Sequence, residues 1–495
     1  MHISALFLLF ASVSLSLGSP WAPPAPKTSI AVVGAGYAGL AAVGRLRELG
    51  FEDVTLFEGL NRVGGRVFSI PYGKGRLQQG AQWINGHNNS IYRIADKLGL
   101  VIGELADNEV FEKASFFDGH CGLTKEIVNK FHNFVAPMRD RWEDLAEDRK
   151  NYALSFDELY DKDFREFLER KNRTHKDIHL LQGLSRYYRG YWEGENGAFD
   201  EFALANLGEW DDGEGESKSY VMNPMGYFEV TKYLKGRVPD EIVKYNHFVK
   251  KIDYSGEQTT ITVEEAGRTF DFPKKFDHVI VTSSIGHLKK YSLSLFNPPL
   301  PARKQEAIDS LGYGNLLKVF LIYDKPWWSY NGSAIAALRI QGCSTTPGLM
   351  KFMHTFKTLE WDENVLVAFV SATGTEMIDK VPDAELVKEI TEHLRVSMDV
   401  PDAPEPKQII RQHWVSDKLF LGAYSFIASE AALLPGGAYN RMSEPVASKL
   451  FFAGEGTHPF MYMTTVGAFD SGVREADRIA KLSQMKVAPS FRLTR

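Results

Sequence analysis

The sequence predicts a mixed α/β (α+β) fold, in which a Rossmann-type nucleotide-binding domain is interleaved with a second domain of mixed sheet and helices. Three observations predict it. The β-branched run Ser29 to Val33 leads into GAGYAG, a helical pattern to Leu49 and the strand VTLFEG, which closes on Glu58. Strand, glycine turn, helix, strand with an acid at the end is the order a dinucleotide site requires. Strand-like apolar runs return at 248–254, 259–264, 278–284, 317–323 and 365–372, after a charged and aromatic stretch of helical period. The chain then closes on a buried-type strand, a glycine-rich loop and an amphipathic helix, KLFFAGEG through ADRIAKL, a unit suited to completing the first sheet.

Taken in order, residues 1–18 read as a signal peptide, with an apolar run from Ala5 to Leu17 and the small residues Ser16 and Gly18 at a cleavage position. Only His2 stands beside the terminal amine, so a short uncleaved anchor is the alternative. Residues 19–27 form a proline-rich linker. The nucleotide domain occupies 28–95: Gly34 permits the tight turn, Gly36 lets backbone approach a pyrophosphate, Gly39 lets helix and strand pack closely, and Glu58 accepts ribose hydroxyls. Residues 96–222 are predicted mostly helical, carrying IVNKFHNFVAPMRDRWEDL and FDELYDKDFREFLERK. The nucleotide domain resumes over 223–300. The second domain resumes over 301–430, with a helix from Ala384 to Val396, and the nucleotide domain finishes over 431–483 before a tail at 484–495.

Bulk properties exclude several classes. A chain of 495 residues with 44% hydrophobic and 24% charged content is long enough for two or three domains, and a net charge of -6 offers no basic field for nucleic acid. No stretch after the amino terminus reaches the ~20 apolar residues of a membrane span. Three sequons, at Asn88, Asn172 and Asn331, fit an exported protein. Cys121 and Cys343 either pair in an oxidising compartment or remain two buried thiols. There is no cluster with zinc spacing and no G-x-S-x-G elbow, so a metal site and a serine hydrolase are not expected. The acidic run EWDDGEGES at 209–217 is a candidate for steering polycations, against the alternative of a solvated loop.

Downstream of Glu58, GLNRVGGRVFS places Arg62, the Gly64-Gly65 pair and Arg66 where a nicotinamide dehydrogenase has no need of them. With G-A-x-W-I at 80–84 and F-A-G-E at 452–455, the chain resembles the flavin-dependent amine oxidase family over residues 30–482, and within it the polyamine oxidases of the spermine and acetylpolyamine type. NLLKVFLIYDKPWW, RQHWVSDKLFLGAYSF and LFFAGEGTHPFMYMTTVGAFDSGVREADRI carry the closer likeness. The resemblance implies noncovalent FAD, since HPFMYMTT lacks the cysteine that monoamine oxidases use for covalent attachment. Gly34, Gly36, Gly39 and Glu58 would hold the adenosine and pyrophosphate half, with Gly65 and Arg66 at phosphate and the backbone of Val249 at adenine. Glu455 would stand near the ribityl chain, and Thr465 and Val466 at the isoalloxazine, where the last helix aims its positive end. Gly80, Ala81, Gln82 and Trp83 would wall the flavin, and Trp414 would support it.

The same resemblance makes Lys318 the catalytic residue, holding a water at flavin N5. As a lysine in an apolar strand it is expected to have a depressed pKa. Tyr424 and Tyr462 are the expected aromatic walls around the substrate amine. Asn85 departs from the family, standing where animal polyamine oxidases have histidine and plant enzymes glutamate; it hydrogen-bonds without titrating. The implied reaction takes hydride from the carbon beside a secondary or tertiary nitrogen, hydrolyses the imine to aldehyde and amine, and returns the electrons to O2 as H2O2. The alternatives are an L-amino-acid oxidase and an exported FAD-binding protein without turnover. A secreted or secretory-lumen location is expected; the sequence leaves the oligomeric state open.

Overall fold

Strand β1 (Ile30–Val33) is buried at every residue, and Gly34 turns the chain at φ 100° into helix α1 (Tyr37–Glu48). A Cβ on Gly39 would lie 1.9 Å from the Gly34 carbonyl oxygen, which is why the third glycine of the fingerprint carries no side chain. Strands β2 (Val54–Phe57), β3 (Ile84–Asn85) and β4 (Ser115–Phe117) precede the helical stretch, of which α2 (Met138–Ala146), α3 (Phe156–Leu168) and α4 (His175–Asn196) are used below. Capping boxes start α3 at Ser155 with Glu158, and α4 at Thr174 with Asp177. Then come β5 (Lys218–Met222), β6 (Val243–Lys244), β7 (Phe248–Asp253), β8 (His278–Val281), β9 (Leu316–Ile322), β10 (Ile335–Ala337), β11 (Met353–Leu359), β12 (Asp362–Ser371), β13 (Gln408–Arg411), β14 (Leu450–Phe452) and α5 (Thr465–Leu482). This computed structural model describes residues 28–106, 113–170, 173–213, 218–314, 316–343 and 348–483. The expected signal peptide, linker and tail lie outside them, as does Asn172.

Two sheets organise the molecule. The first is parallel, in the order β14-β8-β1-β2-β6, with Val32 registered between Ile280 and Leu56. Its strands come from chain segments far apart in sequence, and the apolar runs of β1 and β14 reflect burial on both faces. Helices α1 and α5 pack against one another beside it; a Cβ on Gly472 of α5 would lie 2.1 Å from the Ala38 carbonyl oxygen. The second sheet runs β13-β9-β12-β11-β10-β4, antiparallel except where β4 joins β10. The helical stretch has its own core of buried aromatics, including Trp142, Phe156, Tyr160 and Tyr187. A disulfide between Cys121 and Cys343 fastens that stretch to the segment following β10, which decides the cysteine pairing left open by the sequence. Asn88 and Asn331 of the sequons are exposed. Among the described residues no helix is long and apolar enough to cross a membrane.

Candidate active site

A cavity of about 570 Å³ lies where the parallel sheet, the second sheet and the helical stretch meet. At one end it is a dinucleotide cradle. The buried Glu58 carboxylate accepts hydrogen bonds from the backbone N–H of Ala35 at 2.7 Å and of Leu60 at 2.8 Å. Burial nevertheless holds its pKa above the usual carboxylate value. Helix α1 begins at Gly36 with no side-chain cap, so its first N–H groups are available to an anion. Gly64 docks on this turn by donating to the Ala35 carbonyl at 2.9 Å, and Arg62 closes the loop on the Gly65 carbonyl at 2.9 Å. Arg66 extends to the Ala423 carbonyl at 2.8 Å and to Glu455 at 3.0 Å. The other oxygen of Glu455 accepts from the hydroxyl and N–H of Ser425 and from the N–H of Met463. Val249 lines the cavity at a bulge, where the pairing of β7 with its neighbour shifts between Val249 and Lys251.

The other end is floored by one face of the second sheet. Strand alternation and register put Leu316 and Lys318 of β9, Phe369 and Ser371 of β12, and Thr355 and Lys357 of β11 on that face, and all six line the cavity. Lys318 is 4% exposed. Its ammonium donates to the carbonyls of Gln78 (3.2 Å) and Gly80 (2.8 Å) and to Gln82 Oε1 (2.8 Å), and stands 5.3 Å from the Trp83 ring centroid. Burial lowers its pKa to about 7, partly offset by Glu360. A Cβ on Gly80 would lie 1.8 Å from the Arg66 carbonyl oxygen and 3.2 Å from Trp414, so this backbone is pinned from two sides. Trp414 in turn donates its indole N–H to the Gln79 carbonyl at 3.1 Å.

Asn85 sits on β3, paired with Ser219 of β5, and both line the cavity. Its carbonyl is held by the Asn89 side chain at 2.9 Å. Tyr424 is on the wall, with its hydroxyl on the Gly194 carbonyl of α4 at 2.9 Å. Thr465, at the first turn of α5, lines the cavity and shares a hydrogen bond with Tyr227 at 2.7 Å.

The profile of flavin containing amine oxidoreductases matches residues 37–480. The chain belongs to this family. It is 29% identical over 506 residues to a peroxisomal N(1)-acetyl-spermine/spermidine oxidase of Bos taurus, covering 93% of this chain and 96% of the relative. It is 25% identical over 543 residues to probable polyamine oxidase 5 of Arabidopsis thaliana, covering 92% and 99%. A solved structure of putrescine oxidase bound to putrescine shares the fold, with a TM-score of 0.65 at 19% identity over 92% of this chain and 99% of that one.

The family's cofactor, FAD, fits the residues present. The open N-terminus of α1, the carboxylate of Glu58, the guanidinium of Arg66 and a glycine-lined cradle would hold its dinucleotide half. The pinned backbone at 80–83 and the floor around Lys318 would flank its ring. Gly39 acts from outside the cavity by packing α1 on β1. Val466 packs in the core of the nucleotide domain, one residue behind Thr465.

Tyr462, expected on the substrate wall of this amine oxidase, lies elsewhere. It is fully buried, its ring stacks on Tyr439 with centroids 4.4 Å apart, and its hydroxyl reaches the Asn206 carbonyl. In the described part of the acidic run Trp210 lines the cavity and Asp212 is buried, while Asp211 and Gly213 are exposed; 214–217 lie outside the described residues. Sequence reasoning missed Lys357, the Arg139–Glu143 pair of α2, and Tyr191 and Trp192 of α4, all of which line the cavity. For Lys357 the strand period of MHTFKTL was the available signal. For the helical residues none was, because their contacts with the sheet are remote in sequence. Among the described residues no group of three or more side chains is arranged to hold a metal ion.

Proposed function

We propose that this amine oxidase acts on polyamines, holding FAD noncovalently and oxidising the carbon–nitrogen bond of a secondary or tertiary amine in spermine, spermidine or their acetylated forms. The observation that carries the reading is Lys318: a buried ammonium with a pKa near neutrality, fixed by Gln78, Gly80 and Gln82 at the floor of a cavity continuous with the dinucleotide cradle. When bound, the flavin supplies a two-electron acceptor for the carbon–hydrogen bond beside the amine nitrogen. Water then splits the imine to an aldehyde and an amine, and O2 leaves as H2O2.

The chain's own residues bind, orient and move protons. Tyr424 and Trp83 offer aromatic faces to an amine; each such face attracts the ammonium form by ~0.5–2 kcal/mol during entry. Asn85 adds a hydrogen-bonding amide without a charge, so the amine beside it is free to be neutral, as oxidation requires. Lys318 exchanges a proton at Nζ in the neutral range. Both cysteines are engaged in the disulfide, leaving no thiol among the described residues for covalent attachment of a cofactor.

Secretion, or residence in the secretory lumen, belongs to the same proposal. The apolar amino terminus supports it, as do a disulfide of the kind that persists in oxidising compartments and the exposed Asn88 and Asn331 of two sequons. A peroxide assay on the flavin-loaded protein tests the activity, with spermine, spermidine, their acetylated forms, L-amino acids and simple monoamines as substrates. Peroxide from the polyamine group alone is the expected result. Peroxide from L-amino acids alone, or from none, would overturn it.

A further inference from the structure

Helix α4 contains Gly183, Gly190 and Gly194, and the fold does not require each of them for the same reason. A Cβ on Gly183 would lie 2.3 Å from Ile340 Cδ1 and 3.3 Å from the Arg339 carbonyl oxygen, so packing leaves no room for a side chain there. At Gly194 the described atoms nearest to a Cβ are Ser371 Cβ at 3.9 Å and Leu316 Cδ1 at 4.0 Å, ordinary contact distances. Gly194 also lacks the positive φ that would call for glycine. Within a helix glycine is less favourable than alanine, so neither packing nor backbone favours glycine at 194. Gly190 and Gly194 lie one turn apart, and both line the cavity. The side chain missing at 194 is therefore room inside the cavity.

That room has definite walls. Leu316 of β9 registers with Ser371 of β12, and both stand on the floor face. Ser371 donates its hydroxyl to the Gly190 carbonyl at 3.2 Å, and Tyr424 donates its own to the Gly194 carbonyl at 2.9 Å. These bonds fix the height of the helix above the floor. They also turn both hydroxyls to the helix backbone, so the gap between Gly194, Leu316 Cδ1 and Ser371 Cβ presents carbon surface. Leu316 stands two residues from Lys318 on the same strand face, ~6.7 Å along β9. A chain of about five single bonds of ~1.5 Å, bent at each carbon, covers that distance.

Resting on the reading above and deepening it, we propose that the passage between Gly194 and the Leu316–Ser371 pair takes a methylene segment of the substrate, leading away from the amine at Lys318, and that Gly194 sets its width. Gly194 is thus a specificity position, acting on how thick and how long an arm the cavity binds and not on the bond broken.

Straight-chain primary amines from methylamine to octylamine probe the passage. Their dissociation constants are measured by calorimetry on the FAD-loaded, full-length wild type, Gly194→Ala and Gly194→Val. In the wild type each added methylene is expected to tighten binding by about twofold to fourfold, the scale of a buried CH2. Gly194→Val follows the wild type to about butylamine and gains nothing from further methylenes, so octylamine binds it about tenfold or more weakly than the wild type. Gly194→Ala falls between the two, and its thermal unfolding midpoint lies at or above that of the wild type, because the added methyl favours the helix and meets only ordinary contacts. Parallel length profiles in the wild type and Gly194→Val overturn the role of Gly194, as does a uniform weakening that includes methylamine. A lowered midpoint in Gly194→Ala overturns it as well, since the glycine would then serve packing. Failure of every amine to bind the FAD-loaded wild type overturns instead the substrate reading beneath it.

Discussion

Lys318 shows how the surroundings of one side chain set its protonation. Two carbonyls and an amide oxygen hold its ammonium, yet burial outweighs them and brings its pKa to about 7. Below that pH the side chain is protonated and above it neutral, so a step in which the neutral Nζ accepts a proton gives the wild type a rate limb that rises through about pH 7. Lys318→Met is expected to slow a half-reaction by ~10²-fold or more, the usual scale for a lost acid–base group, and to abolish that limb. Rapid-mixing measurements of flavin reduction and reoxidation across the neutral range check both. The same shift gives a stability signature. Between about 7 and the ordinary lysine pKa the unfolded chain binds more protons than the folded one, so stability rises with pH in that window in the wild type and not in the variant. The burial of Lys318 was expected from the family resemblance, since LLKVFLIY by its pattern alone equally allows a lysine that faces solvent. Tyr462 was misplaced because MYM carries no period that gives the ring a direction; its position follows from Tyr439 and from Asn206, which lies 256 residues away in sequence.

At the scale of elements, the crossing of α1 and α5 joins the two ends of the flavin site. Helix α1 presents its N-terminus at Gly36 and α5 presents Thr465, and the two helices touch where Gly472 meets the backbone of Ala38. A methyl at Gly472 falls 2.1 Å from the Ala38 carbonyl oxygen, and a backbone atom cannot swing aside as a flexible side chain does. Gly472→Ala is therefore expected to cost about 1–3 kcal/mol as an overpacked contact and to weaken FAD retention by moving α1 against α5. Thermal unfolding together with a flavin-release titration measures the two effects. Unchanged stability and unchanged retention would show that the crossing is not what aligns the cradle. The fingerprint glycines were legible because each answers a local demand of the turn. The role of Gly472 was not, since the helix period locates its face and not its partner. For the same reason the stretch 96–222, expected mostly helical, contains Ser115–Phe117, a strand pairing with Ile335–Ala337 far along the chain.

On the scale of the whole molecule, the helical stretch reaches the cavity as a wall while its tether lies elsewhere. Residues of α2 and α4 line the substrate end, and the Cys121–Cys343 disulfide fastens the stretch to the second sheet beside the start of α4, where a Cβ on Gly342 would lie 3.9 Å from His179. The dinucleotide cradle, by contrast, is built around the parallel sheet and α1, with no part of that disulfide. Replacing both cysteines, Cys121→Ser with Cys343→Ser, releases a cross-link between residues 222 apart, and such a loss typically costs about 2–4 kcal/mol. The cost falls on the helical wall first. The variant is expected to show a raised KM for amine substrates before any loss of flavin. In denaturant, its far-UV signal should decay ahead of flavin release, where the wild type loses both together. Coincident transitions at the wild-type midpoint, with KM unchanged, would mean that the helical core of Trp142, Phe156 and Tyr160 holds the wall in place without the covalent tie.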